Sequence, residues 1–334
     1  MKIIFFDTKE YEKEYLEKKL DNSYEKIFLT YSLNGNVEIE DNIKDAEVIS
    51  CFIDSNLSKK ALEKFPNLKF IVLRSVGFSH VDLAYCKEKN IHIFNAPHYG
   101  DSSIAEYVFA ILLTLIRKVI VAANDVKKQE IEDSKYLGLE LFNKTIGIVG
   151  LGAIGKRVAE IAKAFSMNVI YYDIQEDERF KKVSFDELLN LSDVISINCN
   201  LNDKTLHLFN SNSFKKMKKG VIIVNTARGE VIQTTALFEA LISKKVSFAA
   251  LDVMECEEVI YEHGENKIDI NCTKDNCLKN FYVASKLLNM ENVIITPHIA
   301  YNTKEAKQRI LEISVENIFA LTNFTNSAKN LVLI

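Results

Sequence analysis

No uninterrupted apolar run in this 334-residue chain approaches the ~20 residues that a bilayer-spanning helix needs. The one long apolar stretch, 104–123, is broken by Glu106, Arg117 and Lys118, and reads as a helix buried in a core or at a subunit contact. An excess of one charge is missing too. A formal net charge of −4 gives no electrostatic reason to expect nucleic acid or an acidic membrane as partner. Nor is there a disulfide framework: Cys51, Cys86, Cys199, Cys256, Cys272 and Cys277 are scattered along a chain far too large to need stapling. That is the usage of reduced thiols in a cytoplasm. Cys272 and Cys277 have no second pair beside them, so no metal site is expected. Met1 and Lys2 lead straight into a strand-like run, so no secretory leader is expected either. Repeats and low-complexity tracts are absent. What remains, 48% hydrophobic and 26% charged, is ordinary globular composition in a chain long enough for two domains.

Through residue 100, short apolar runs alternate with polar, helix-like segments. The runs 2–6, 48–52, 70–73 and 91–95 read as strands, with helices over 9–20, 58–65 and 81–89. Alternation of this kind implies a parallel sheet with helices on its faces. Pro97 breaks the series, and a long helix is expected from Ser102 and Ser103 to about Ala123, opened by a Ser103–Glu106 capping box. A second, more regular series places strands at 146–149, 169–173, 194–198, 221–225, 249–252 and 293–296, and helices at 155–164, 185–190 and 234–243. The expected fold class is therefore α/β, with two doubly wound parallel-sheet domains. Residues 258–284 form a polar insertion without clear period, the kind of long loop that carries or covers a function. A last amphipathic helix is expected over 304–322.

The run 146–149 ends in Gly150-Leu151-Gly152-Ala153-Ile154-Gly155 and passes at once into a helix-like segment. In such a turn Gly150 makes the bend, Gly152 lets the backbone approach a pyrophosphate, and Gly155 lets helix and strand pack closely. The helix N-terminus offers free N–H groups and a positive dipole to the phosphates. The next strand ends in Asp173, 18 residues beyond Gly155, which meets the context test for a dinucleotide fingerprint. A carboxylate there accepts from both ribose hydroxyls of NAD and repels the 2′-phosphate of NADP. No Arg or Lys follows in Ile174, Gln175, Glu176 and Asp177, so NAD is expected.

Hydride transfer to a 2-keto acid needs a group that holds the carboxylate and polarises the ketone, and another that protonates the new alkoxide. The planar fork of an Arg suits the first task, and a His with an acidic partner suits the second. Arg228 follows the strand at 221–225, Glu257 the strand at 249–252, and His298 the strand at 293–296. Carboxyl ends of parallel strands open onto one crevice, which the glycine loop also borders. Singly, each has a plainer reading: a phosphate clamp at a helix start, a solvated loop acid, a turn residue after Pro297.

Further segments match a known pattern: Ser75-Val76-Gly77 with His80 and Asp82, Asn95-Ala96-Pro97 with Ile104-Ala105-Glu106, Asn225-Thr226-Ala227-Arg228-Gly229-Glu230, Ala250-Leu251-Asp252-Val253 with Glu257, and Thr296-Pro297-His298. With the glycine loop they make the chain resemble the D-isomer-specific 2-hydroxyacid dehydrogenase family over nearly its whole length. The resemblance implies that Arg228 binds the substrate carboxylate and carbonyl, with His298 as general acid/base and Glu257 as its partner. It implies further that the Val76 and Gly77 N–H groups hold the carboxylate and that Asp252 meets the nicotinamide carboxamide. Ala153, Ile154, Asn198, Cys199, Asn200, Thr226 and Ala227 match cofactor-contact positions. Where the family typically shows His, any residue, Pro, this chain has Asn198, Cys199 and Asn200. Implied organisation is a substrate domain over 1–100, an NAD-binding Rossmann domain over 101–299, and a segment 300–334 returning to the flavodoxin-like first domain. Hinges would fall near 97–101 and just after His298, and a homodimer would pair through 101–123. Tyr99 and Tyr301 match pocket positions of the D-lactate dehydrogenase branch, and Phe52 could close the same pocket. A small aromatic-walled pocket favours pyruvate as substrate and D-lactate as product. The alternatives are D-2-hydroxyisocaproate, hydroxypyruvate or glyoxylate chemistry, or an NAD(H)-sensing corepressor-like binding protein. His80, His92, His98, His207 and His263 have no partner that spacing identifies.

Overall fold

The computed structural model describes residues 1–255, 257, 275–322, 324, 325 and 328–333. The chain divides into two compact units, 1–99 with 303–334 and 100–302. In the first, parallel strands β1 (Lys2–Phe5), β2 (Glu25–Phe28), β3 (Val48–Cys51), β4 (Phe70–Leu73) and β5 (His92–Phe94) alternate with helices α1 (Glu10–Lys19), α2 (Lys59–Leu62) and α3 (Leu83–Glu88). β3 and β4 are buried at every position, which is why they read as nearly continuous apolar runs, broken only by Ser50, rather than alternating ones. The order is β5-β4-β3-β1-β2, with a short antiparallel strand, Leu331–Val332, added beside β5. This is the flavodoxin-like order, reversing between β1 and β3. The C-terminal helix Lys304–Thr322 belongs to this unit: Leu311, Val315, Ile318 and Leu321 join Ile3, Phe5, Val48, Val72 and Phe94 in one apolar cluster.

The second unit begins with α4 (Asp101–Ile116) and α5 (Val119–Lys128). Its strands are β6 (Thr145–Val149), β7 (Asn168–Tyr172), β8 (Lys181–Lys182), β9 (Val194–Ile197), β10 (Val221–Asn225), β11 (Val246–Leu251) and β12 (Val293–Ile295). They are all parallel, in the order β12-β11-β10-β9-β6-β7-β8. Helices α6 (Ala153–Ala164), α7 (Phe185–Leu191), α8 (Ser211–Lys216), α9 (Thr234–Ile242) and α10 (Asp275–Leu288) connect or flank them. α4 and α6 cover one face over Ile146, Ile148 and Val224; α7, α9 and α10 cover the other over Ile195 and Ile223. Strand order reverses between β6 and β9, so the crevice of this doubly wound sheet opens at their carboxyl ends.

Three expectations are corrected. The single helix to Ala123 is two helices, broken at Lys118 in the left-handed region (φ 56°). The returning segment explains the break: Leu139 N donates to the Ile116 carbonyl at 3.1 Å, and a Cβ on Gly138 would lie 2.6 Å from that oxygen. The Ser103–Glu106 capping box does not form, because α4 already starts at Asp101 and Ser103 Oγ donates back to Gly100 O at 3.1 Å. The insertion 258–284 is helical over its last part, within α10, where Ala284 and Leu287 are drawn into the core by their apolar spacing. Residues 258–274 lie outside the described residues, as do Cys272 and the side chain of Cys277; His263 falls there too. β2 escapes the sequence reading because an edge strand carrying Glu25 and Lys26 lacks the apolar signal.

Ile318 has no exposed surface, so Ile318→Ala is expected to cost about 2–5 kcal/mol. Urea unfolding measures it; a parent-like midpoint would mean that the C-terminal helix adds nothing to the first unit.

Candidate active site

The glycine loop of the second unit shows three distinct uses of a missing side chain. Gly150 has φ 89°, and a Cβ there would lie 2.7 Å from Cys199 N, so the bend fits against the β9 exit only as glycine. A Cβ on Gly155 would lie 2.1 Å from Gly150 O. Around Gly152 nothing stands within 4 Å of the same position. That open space lies at the start of α6, where the cap makes no side-chain hydrogen bond and the first N–H groups remain for a ligand. Asp173 follows β7 and is fixed beside the loop, its Oδ2 accepting from Leu151 N at 2.6 Å and its Oδ1 from Gln175 N at 2.8 Å.

At the β9 exit, Asn198 Nδ2 donates to Ser196 Oγ (3.1 Å) and O (3.2 Å), while its Oδ1 is buried without a partner. Thr226 Oγ1, at the β10 exit, is likewise buried and unpartnered. Orphaned buried acceptors are rare in finished folds and mark places where a ligand supplies the bond. Ribose hydroxyls and a carboxamide are donors of the right kind. The Cys199 thiol is pushed up to about 11 by burial, which makes it a neutral packing contact. Asn200 is exposed.

Asp252 follows β11 and is fully buried. Its Oδ1 accepts from Thr296 Oγ1 (2.6 Å) and Ile299 N (3.0 Å), its Oδ2 from Ala300 N (2.8 Å), and its carbonyl from His298 N (2.9 Å). Burial raises its pKa, against the bonds from Thr296, Ile299 and Ala300 and the nearby His298. Oδ2 retains capacity for one more donor, which is what the expected carboxamide contact needs. The loop so tied carries His298 at φ 53°, with Nδ1 2.8 Å from Glu257 Oε1. A carboxylate at Nδ1 favours the tautomer with its proton there and leaves Nε2 as the ring nitrogen not paired with Glu257. Tyr107, on α4, bonds Thr296 through its hydroxyl, and burial raises its pKa; spacing gave no sign of it.

Arg228 leaves β10 on a turn braced by Asn225, whose Nδ2 donates to Arg228 O and whose Oδ1 accepts from Ala227 N, both at 3.0 Å. Its Nη1 donates to Ala227 O at 2.6 Å, and among the described residues no carboxylate pairs with it. The half-buried guanidinium therefore keeps donors for an outside oxygen acceptor. The next residue, Gly229, packs against the backbone of Met254 and Glu255, two residues before Glu257. His207, for which spacing gave no partner, lies 2.6 Å from Glu255 Oε1.

In the first unit the named residues also stand at carboxyl ends of strands. Ser75 Oγ holds Gly77 O and Asn95 Nδ2 holds Val76 O, while among the described residues the N–H groups of Val76 and Gly77 donate to no acceptor. Phe52 is half-buried after β3, its N–H donating to Asp7 Oδ2 at 3.3 Å. Tyr99 is buried and its carbonyl accepts from Arg309 Nε on the C-terminal helix. Tyr301, in the second unit, follows Ala300, whose amide Asp252 holds.

Residues 109–300 match the NAD binding domain of the D-isomer specific 2-hydroxyacid dehydrogenases. A 2-hydroxyacid dehydrogenase homolog of Haemophilus influenzae is 32% identical over 331 residues, 96% of each chain. The chain belongs to the D-isomer specific 2-hydroxyacid dehydrogenase family. A hydroxypyruvate reductase of Thermotoga maritima is 35% identical over 280 residues, 83% of this chain and 85% of that one. Among solved structures, D-lactate dehydrogenase from Aquifex aeolicus, complexed with NAD and lactic acid, superposes with a TM-score of 0.84 at 36% identity, covering 96% and 95% of the two chains. The cofactor is NAD, which supplies or accepts the hydride; the glycine loop, Asp173 and the free acceptors of Asn198 and Thr226 fit it. Among the described residues no helix is long and apolar enough to cross a membrane, and no cluster of metal-ligating side chains occurs.

Asp173→Ala is expected to weaken NADH binding about tenfold, the worth of a hydrogen bond to a charged group, and to weaken NADPH less. Fluorescence titration of both nucleotides measures this. An equal loss for both would mean that Asp173 only props the Leu151 amide.

Proposed function

We propose that the enzyme reduces pyruvate to D-lactate, NADH giving the hydride to C2 and His298 Nε2 the proton to the carbonyl oxygen. The observation that carries this reading is the His298–Glu257 pair at 2.8 Å, with Arg228, unpaired by any carboxylate among the described residues, on the loop packed against Met254 and Glu255. Arg228 binds the carboxylate and polarises the ketone. Glu257 stabilises the imidazolium, which recovers its proton from solvent after each turnover. The first unit is assigned to the substrate and the second to the cofactor, and the two free amides of Val76 and Gly77 are assigned to the carboxylate. Tyr99, Tyr301 and Phe52, as aromatic walls, favour a short apolar side chain. The similarity to a lactate-complexed D-lactate dehydrogenase supports the same choice. The cytoplasm is the proposed location.

Steady-state NADH oxidation across pyruvate, phenylpyruvate, 2-ketoisocaproate, hydroxypyruvate and glyoxylate, with chiral analysis of the product, tests it. Pyruvate is expected to give the highest kcat/KM and the D isomer. Preference for hydroxypyruvate would reassign the substrate, and no turnover on the whole set would sink the reaction. His298→Ala should lower kcat by roughly 10²–10⁴-fold with NADH binding unchanged.

We further propose a homodimer. Half of α4 is buried in its own unit, whereas α5 has no buried residue at all. Val119, Ile120 and Val126 on α5, with Ile131 (68% exposed), Leu137 (86%) and Phe142, leave an apolar surface that a monomer would not keep. A second copy of the chain covers it on this reading. Light scattering should give twice the chain mass for the parent, and a monomer for Val126→Glu combined with Leu137→Glu. A monomeric parent at micromolar concentration would refute the assignment.

A further inference from the structure

Glu255 is nearly fully buried (6% exposed) and has no part in the proton chemistry assigned to Glu257 two residues on. A carboxylate taken out of water stays charged there only with good partners. Glu255 has two: Oε1 lies 2.6 Å from His207 Nε2, and Oε2 accepts from Thr234 N at 2.7 Å. Thr234 opens α9, whose preceding residue Gln233 offers no side-chain cap, so a side chain from the far end of β11 satisfies that helix start.

His207 is itself held tightly. Its backbone lies in the left-handed region (φ 49°), its N–H donates to Glu230 O at 2.8 Å, and its carbonyl accepts from Asn210 Nδ2 at 3.0 Å. Phe209 N then donates to Val231 O, and Gln233 N to Phe209 O. Residues 207–209 thus run as a short bridge along 230–233, directly after Arg228. From the other side Gly229 presses on 254–255, where a Cβ would come within 2.0 Å of the Met254 carbonyl carbon. Arg228 leaves β10 on a loop clasped between these two segments, and the Glu255 carboxylate ties them to each other.

We infer that His207 and Glu255 form a staple that positions Arg228 for the keto acid; the inference rests on the reading of Arg228 as the group that holds that acid. They are positioning residues. The glycine loop and Asp173 lie outside the clasp, so its loss acts on the keto acid and spares the nucleotide.

The test is steady-state kinetics with the best keto acid of the panel, pyruvate on the reading above, alongside NADH fluorescence titration. His207→Ala should raise KM for the keto acid about tenfold, a usual coupling within one hydrogen-bond network, with NADH affinity unchanged. His207→Gln, whose amide still donates to Glu255, should restore most of the loss. In an Arg228→Gln background, His207→Ala should change kcat/KM by less than about twofold, because the group it positions is gone. A fall in kcat alone, or the same loss in both backgrounds, would overturn the staple. An Arg228→Gln enzyme with parental KM for the keto acid would instead overturn the reading of Arg228 beneath it.

Discussion

The carboxylate of Asp252 has no exposed surface, and a buried carboxylate costs several kcal/mol unless donors surround it. Those donors come from the chain just beyond β12: a hydroxyl from Thr296 and amides from Ile299 and Ala300. To deliver all three to one group, the residues between must turn sharply, and His298 takes up a left-handed backbone that an ordinary L residue adopts at a cost of roughly 1–2 kcal/mol. The direction of the His298 imidazole is thus decided by the need to satisfy a buried acid next door. Tyr107 closes the same knot from α4 through Thr296. Sheet, helix and catalytic loop are joined at this one carboxylate.

The cofactor side of the crevice works by the opposite means. There the sequence supplies space and unsatisfied acceptors where the catalytic side supplies bonds. Gly150 and Gly155 remove atoms that would collide with backbone, and Gly152 leaves room where nothing protein-made enters. Asn198 stands at the exit of β9. It turns its amide nitrogen onto Ser196 and leaves Oδ1 buried and open. An acceptor kept this way gains its hydrogen bond only when a donor arrives.

Much of this was legible in the sequence because its cause is local. Strands buried on both faces are mostly apolar: β4 is so throughout, β3 but for Ser50 and β10 but for Asn225 at its end. The glycine spacing is dictated by the turn itself, and the placement of Arg228, Glu257 and His298 follows from the rule that parallel strands open at their carboxyl ends. What escaped has causes distant in the chain. α4 stops because Leu139 takes the Ile116 carbonyl, and no composition signal at 117–118 reports on residue 139. His207 finds Glu255 across 48 residues, so its spacing looked empty. Asp252 was expected as a cofactor contact; its work for the 296–300 loop depends on a strand pairing that only the fold reveals.

Two acids, each paired with an imidazole, therefore stand two residues apart on one segment, and the bonds on each second carboxylate oxygen differ. Glu255 gives its Oε2 to the Thr234 amide at 2.7 Å and is tied to a helix that cannot follow a changing charge. Among the described residues, Glu257 Oε2 accepts from Met254 N alone, at 3.3 Å, a weaker bond, and Glu257 is 26% exposed against 8% for Glu255 by side chain. An acid that must accompany an imidazole through protonation and deprotonation needs a neighbour that tolerates both states, and solvent contact with one slack bond provides it. An acid that must hold a loop still needs both oxygens committed. The two environments differ between otherwise identical side chains, and they suit the roles proposed for them: Glu257 with His298 for the proton, Glu255 with His207 for the loop that bears Arg228.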